Sequence, residues 1–313
     1  MPAEELPLTE ATATVPVLAD HGLWRDAFRS TLGKRSARVG LSILVLLVGL
    51  AVLAPVLAPY GEREVLLGRE NIRPRQDPCV HVLGCDEDLP QHVLGIDGNG
   101  RDVFSRLLYG ARVSLLAGVA AVSFAVAIGT VLGLFAGFYG GWLDNVVMRT
   151  MDVLLAFPAL LLAITIVTVL GNGLFNAVIA ISAVTIPVYA RVVRSSVLTV
   201  REQDFVTADR ALGVSSLRIL WHRVLPNSLT PLVVQATLGI ATAVLELAAL
   251  SFVGLGGDPT QAEWGRMLAL ERNQVFTAPH LIVFPGLAIM ANVLAFNLIG
   301  DGFRDALDPR LNR

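Results

Sequence analysis

The side chains that could do chemistry are few, and their spacing argues against most enzymes. Five histidines, His21, His81, His92, His222 and His280, are scattered without the short intervals that gather zinc ligands. A phosphate-binding loop needs a lysine followed by Ser or Thr. The one lysine, Lys34, is followed by Arg35, and Phe28 stands where the loop's first glycine should be. The chain is therefore expected to hold no metal, to bind no ATP in that way and to carry no catalytic residue. Two sets of groups remain. Glu246 is an acid deep in a long apolar run. An ionisable group there is a candidate for lining a pathway or contacting a substrate amine, with an interhelical hydrogen bond as the structural alternative. Cys79 and Cys85, in "CVHVLGC", are the only cysteines and share one polar loop. A separation of six permits a disulfide without demanding it.

The elements that must position these groups are membrane helices. Of 313 residues, 54% are hydrophobic, and the net charge of -2 gives no basic field for nucleic acid. Six runs approach the ~20 apolar residues that a spanning helix needs. They cover 39–60, 113–138, 148–170, 174–190, 229–255 and 281–300. Helices are expected because lipid offers backbone groups no partner, and the alternation of a barrel is absent. The fold class is thus all-α integral membrane with six transmembrane helices, in the inner or plasma membrane. The first run begins too far into the chain for a cleavable leader and reads as a retained anchor. The fourth is short, and Pro187 should kink its end.

Orientation follows from Lys and Arg. With the N-terminus inside, 15 of the 24 basic residues lie inside and 9 outside. Both termini are expected to be cytoplasmic, with 1–38 an N-terminal tail and 61–112 an extracytoplasmic loop. An oxidised Cys79–Cys85 pair is expected there, against two free thiols. Within the tail, residues 22–35 place Leu23, Trp24, Phe28 and Leu32 on one helical face, fitting an amphipathic helix on lipid or one packed on other cytoplasmic parts. Ala125, Gly129, Gly133 and Gly137 are spaced by four and form a small face. It suits close helix packing, either within this chain or with a partner. Arg149 and Asp152 share a helical face and are expected to pair.

Residues 191–227 are the longest loop on the cytoplasmic side. In "TADRALGVSSLRILWHRVLP" (207–226), Gly213 reads as a helix stop. Ser215 or Ser216 can cap a new short helix, "LRILWHRV", which Leu225-Pro226 should end before the fifth span. The stretch resembles the cytoplasmic loop of ABC-importer permeases. That loop reads Glu-Ala-Ala, three residues, Gly, nine residues, an apolar residue, any residue, Leu-Pro. Gly213, Leu225 and Pro226 stand at the family distances. Of Thr207-Ala208-Asp209 only Ala208 matches the triplet. Arg223 stands where an apolar residue is expected, and His222 lies one place before a histidine that peptide-type members often carry.

Further stretches carry the resemblance. They are "LGIDGNGRDVFSRLLYGARVSL" (94–115), "GFYGGWLDNVVMRTMDVLLAFPALLLAI" (137–164), "LSFVGLGGDPTQAEWGRML" (250–268) and "NLIGDGFRDALDPRL" (297–311). Together they resemble the C-type permease subunit of dipeptide/oligopeptide (and nickel) ABC importers. The resemblance implies that 113–313 is the permease transmembrane domain, with a coupling helix between spans four and five. It implies ATPase coupling through Ala208, Gly213, Leu217, Leu220, His222, Arg223, Leu225 and Pro226. It also implies a second permease subunit, two ATP-binding subunits or domains carrying ATP and magnesium, and an extracytoplasmic substrate-binding protein. Nickel, haem or glutathione could replace peptide as cargo. An ion-coupled secondary transporter using Glu246 is the reading of another class.

Overall fold

The computed structural model describes residues 30–68, 72–85 and 90–307. The part of the expected amphipathic helix before Ser30 lies outside the described residues. Among the described residues the chain is helical, with two isolated β-bridges and no strand. The long helices are α1 (Arg35–Leu57), α2 (Val103–Tyr139), α5 (Leu174–Val200), α8 (Leu225–Val253) and α10 (His280–Leu307). Each is long and apolar enough to cross a membrane. Between α2 and α5 lie α3 (Gly141–Leu155) and α4 (Ala159–Leu170), bent by 94° at their junction. A sixth crossing exists if this bent pair is one span. The expected run 148–170 is therefore divided between two helices. The cause is local: Pro158 offers no N–H, and its ring disfavours helical backbone at Phe157.

The expected boundaries shift at the fourth and fifth runs. Helix α5 passes through Pro187 and continues to Val200, so 191–200 is continuous with the fourth helix and not a separate segment of the 191–227 loop. Short helices α6 (Asp204–Ala211) and α7 (Ser216–Ile219) follow. Leu225-Pro226 does not end a helix. From Ser216 the chain runs to Val253 as one helical stretch of 38 residues, with a π turn at Leu220–Val224. The π turn explains how proline is tolerated. Leu225 N–H bonds back to the Leu220 carbonyl, widening the coil just ahead of the ring that would otherwise clash. Asn227 Nδ2 donates to the Arg223 carbonyl at 2.7 Å, and Ser228 Oγ to that of Val224 at 2.8 Å.

Helix α2 packs most extensively on α5, and α8 leans on both. The small face of α2 makes this approach possible. A Cβ on Gly129 would lie 2.8 Å from Tyr189 Cβ, and one on Gly137 would lie 3.0 Å from the Arg194 carbonyl oxygen. A Cβ on Gly133 would overlap the Ala190 carbonyl oxygen. The face thus serves packing within this chain. Ion pairs extend the α5 contacts to α3. Arg194 grips Asp144 with two bonds, of 2.5 and 2.6 Å, and Arg191 meets Asp152 at 2.5 Å. Asp152 therefore pairs across to α5, and not with Arg149 on its own helix.

On the other side, α1 packs on α10 and α2. Pro55 leaves the Ala51 carbonyl without its usual donor, and Arg112 of α2 supplies one from Nε. Its Nη2 reaches the Val52 carbonyl at 2.8 Å.

Gly133→Val should destabilise the purified protein by about 1–3 kcal/mol or more, because α5 cannot retreat without losing its whole contact. Gly49→Val should be near neutral, since nothing lies within 4 Å of that position's added carbon. Thermal unfolding in detergent compares the two.

Candidate functional site

Two regions could carry function, and the same helices connect them. The first is the segment 204–226. Its turn is built from a complete glycine cap. Gly213 has φ +76°, its N–H bonds to the Arg210 carbonyl and Val214 N–H to that of Asp209, each at 3.0 Å. A Cβ at Gly213 would meet nothing within 4 Å, so backbone conformation alone requires glycine. Val206, Ile219, Leu220 and Val224 are buried in the cluster that holds Val193 and Val197 of α5 and Phe138 of α2. Arg210 lies over the Phe138 ring, 5.7 Å from its centre. The segment is thus seated on the ends of α2 and α5.

Its outer surface differs. Phe205, Leu212, Leu217 and Trp221 are exposed, Leu212 to 80%. Ala208, Gly213, His222, Arg223 and Pro226 are exposed beside them, while Leu225 is half-buried. His222 Nδ1 lies 3.3 Å from the Arg218 carbonyl. Arg223 Nε donates to Asp209 Oδ2 at 2.9 Å, tying the π turn to α6. Of the eight residues expected to act here, Leu220 is buried in the core and half-buried Leu225 packs against it. The other six lie on a surface edged by cations.

The second region is a cavity of about 180 Å³. Glu246, Thr242, Gly239 and Gln235 of α8 form one wall, and Thr185 and Tyr189 of α5 another. Leu154, Leu155 and Phe157, at the α3–α4 break, also line it. Gln235 also borders a second hollow with Pro231, Leu238 and Arg304. One face of α8 therefore lines a series of spaces from Glu246 toward the 216–226 end of the same helical stretch.

This arrangement has known counterparts. The family model described as "binding-protein-dependent transport system inner membrane component" matches residues 129–313. That is more than half of the chain. The chain belongs to this family. A second model, the N-terminal TM domain of oligopeptide transport permease C, matches residues 22–77 of this permease. The dipeptide transport system permease protein DppC of Alkalihalophilus pseudofirmus is 46% identical over 92% of this permease and 90% of its own length. The glutathione transport system permease protein GsiD of Pectobacterium atrosepticum is 41% identical over 96% of both chains. In an inward-facing structure of the MetNI methionine ABC transporter, a chain aligns with TM-score 0.54 and 21% identity. The alignment covers 65% of this permease and 97% of that chain, and it shows the shared fold. The protein is an ABC importer permease, an all-helical, multi-pass membrane subunit.

At the opposite end of α2 the permease carries a buried polar knot that residue-by-residue reading of the sequence did not single out. Asp102 caps α2 by accepting from Ser105 N at 2.7 Å, and its other oxygen lies 3.0 Å from His92 Nδ1. Asp97 and Arg101 pair at 2.8 Å. Arg106 donates to the carbonyls of Glu62, Thr260 and Gln261, joining two distant loops. Glu263 caps α9 (Trp264–Glu271) through the N–H groups of Gly265 and Arg266. Burial raises its pKa above the ordinary carboxyl value, against the pull of those bonds. The signal was available in "DGNGRDVFSR", where acids and bases alternate around two glycines before a long apolar helix. Cys79 belongs to the same layer. It exchanges two backbone hydrogen bonds with His92, and its sulfur is bonded to that of Cys85, with Cα atoms 5.4 Å apart.

The 207–216 turn makes a direct test. Gly213→Ala should cost about 1–2 kcal/mol locally, the penalty of left-handed backbone for a residue with a side chain. Gly213→Asn should cost less. Hydrogen exchange of amides 204–216 should rise most in Gly213→Ala and less in Gly213→Asn, while the spans stay protected.

Proposed function

We propose that this permease forms half of a translocation pathway for di- or oligopeptides, entering from the extracytoplasmic side. The single observation that carries the reading is the seated 204–226 segment with its exposed apolar surface, in a chain 46% identical to a dipeptide permease. The chain has no phosphate-binding loop, so energy must be supplied by a partner. Two ATP-binding subunits, holding ATP and magnesium, would dock on Leu217, Trp221 and their neighbours on the cytoplasmic side. A second permease subunit would complete the pathway, and an extracytoplasmic binding protein would deliver cargo. Both termini would be cytoplasmic. Glutathione, itself a small peptide, is the second reading, favoured by the 41% identity to a glutathione permease.

In this scheme ATP-driven closure of the ATPases moves α6 and α7. Because the stretch from Ser216 to Val253 is unbroken, that motion reaches Glu246 along one helix. Alternating access then needs a second arrangement of α5 and α8 around the cavity, biased by ATP on one side and cargo on the other. The Cys79–Cys85 bond would form outside the cell membrane, where thiols oxidise.

Exposed residues test the docking surface better than a deletion, because Ile219, Leu220 and Val224 are core. Leu217→Glu with Trp221→Glu should leave the permease folded, abolish co-purification of the ATPases and reduce ATP-dependent peptide uptake in liposomes at least tenfold. Normal assembly and uptake would refute the assignment, and uptake without ATP would refute the transporter class. Alkylation of intact cells without reductant should label neither Cys79 nor Cys85. Full labelling of both would show that the loop is open.

A further inference from the structure

Glu246 stands in its cavity without a counter-ion. No Lys, Arg or His lines that space. Among the described residues its carboxylate has no hydrogen-bond or ion-pair partner, unlike the acids Asp144 and Asp152 that face arginines nearby. The other polar groups there are hydroxyls and an amide: Thr185, Tyr189, Thr242 and Gln235. Each can accept a hydrogen bond.

The α3–α4 break adds a second negative pole. Leu154 and Leu155, the last residues of α3, line the same cavity. The C-terminal end of a helix carries about half a negative charge, and here that end borders the space that Glu246 lines. Pro158 can donate nothing back, and among the described residues no backbone N–H reaches the Leu155 carbonyl. A broken helix whose end and a lone acid border one cavity is an arrangement that stabilises a small cation. Apolar Phe157, Val184 and Val188 complete the lining, which suits an organic cation better than a hydrated metal ion.

We infer that this cavity seats a primary ammonium group of the passing substrate, with Glu246 as its counter-ion. An ammonium has three donors, which the carboxylate, the Thr242 or Tyr189 hydroxyl and the end of α3 can share. The inference rests on the peptide-import reading for the identity of the cargo, since a peptide's amino terminus is such a group. The seat would hold one end of the cargo midway along the α8 face and leave the remainder free to vary.

The test separates the seat from the cargo. Among the described residues no cysteine is free, so Thr242→Cys places a single reactive thiol one helical turn from Glu246. In the assembled transporter, the methanethiosulfonate reagent bearing an ethylammonium group should outpace the one bearing a sulfonate. The rate ratio should exceed that for a free thiol by about tenfold, the low end of focusing by charge in a cleft. Adding Glu246→Gln should return the ratio to the free-thiol value, and Glu246→Asp should restore part of it. Glu246→Gln alone should lower dipeptide uptake at least tenfold with unchanged yield of the assembled complex. An unchanged ratio, or unchanged uptake in Glu246→Gln, overturns the inference. If the wild-type complex imports no peptide, the peptide reading falls, and the labelling ratio alone decides the ammonium seat.

Discussion

The close approach of α5 to the glycine face of α2 is the constraint on which the other features depend. Lipid supplies no hydrophobic drive between helices, so association rests on surface fit and on polar bonds. Gly129, Gly133 and Gly137 bring the backbone of one helix against the other over two turns. That contact fixes Tyr189 beside the cavity and Val193 and Val197 beneath the 204–226 segment. It also sets α5 at the distance where Arg191 and Arg194 reach the two aspartates of α3. The break at Phe157-Pro158 thus lies between two helices that both pack on α5.

Helices α5 and α8 follow from this as parallel links between two sites. Helix α5 carries Thr185 and Tyr189 at one level and the seat of α6 at another. The stretch from Ser216 to Val253 carries Trp221 and Glu246. Neither link is interrupted by a loop, although α5 contains Pro187 and the Ser216–Val253 stretch contains Pro226 and Pro231. The π turn at Leu220–Val224 is a further irregularity on the α8 path. It sits where the exposed segment meets the span, which is where a change in helix register would be accommodated most readily.

Much of this was legible in the residues. The apolar runs gave the spans, Gly213 gave the turn, and the 94–115 stretch pointed to the family before any geometry. Proline shows where a local rule falls short: by itself Pro226 argues for a stop, and the run before Pro187 for a helix that ends nearby, because each removes a donor and crowds a carbonyl. In the fold, the π turn widens the coil just ahead of Pro226, and α5 runs through Pro187 to Val200. Pro158 broke its helix as the rule demands, yet the apolar run continued across it and hid the break. Asp152 shows the same limit for charges. Arg149 is nearer in sequence, but Arg191 is brought closer by the packing of α5.

The polar knot at the far end of α2 has a different logic. Arg101, Arg106, Asp97, Asp102 and His92 are all nearly inaccessible, which is costly unless each is bonded. Here the bonds join the 58–102 loop, the 254–263 loop and the cap of α2, beside the apolar cluster of Leu66, Ile72 and Ile96. Directional bonds thus add to burial in fixing this layer of loops. The exposed end shows the contrast. Asp209 and Arg223, two positions that depart from the family's loop pattern, satisfy each other across the glycine turn. Their pair is solvent-facing and weak, within about 1 kcal/mol. The knot is built from buried pairs, whereas the glycine turn is held by one exposed pair that costs little to open.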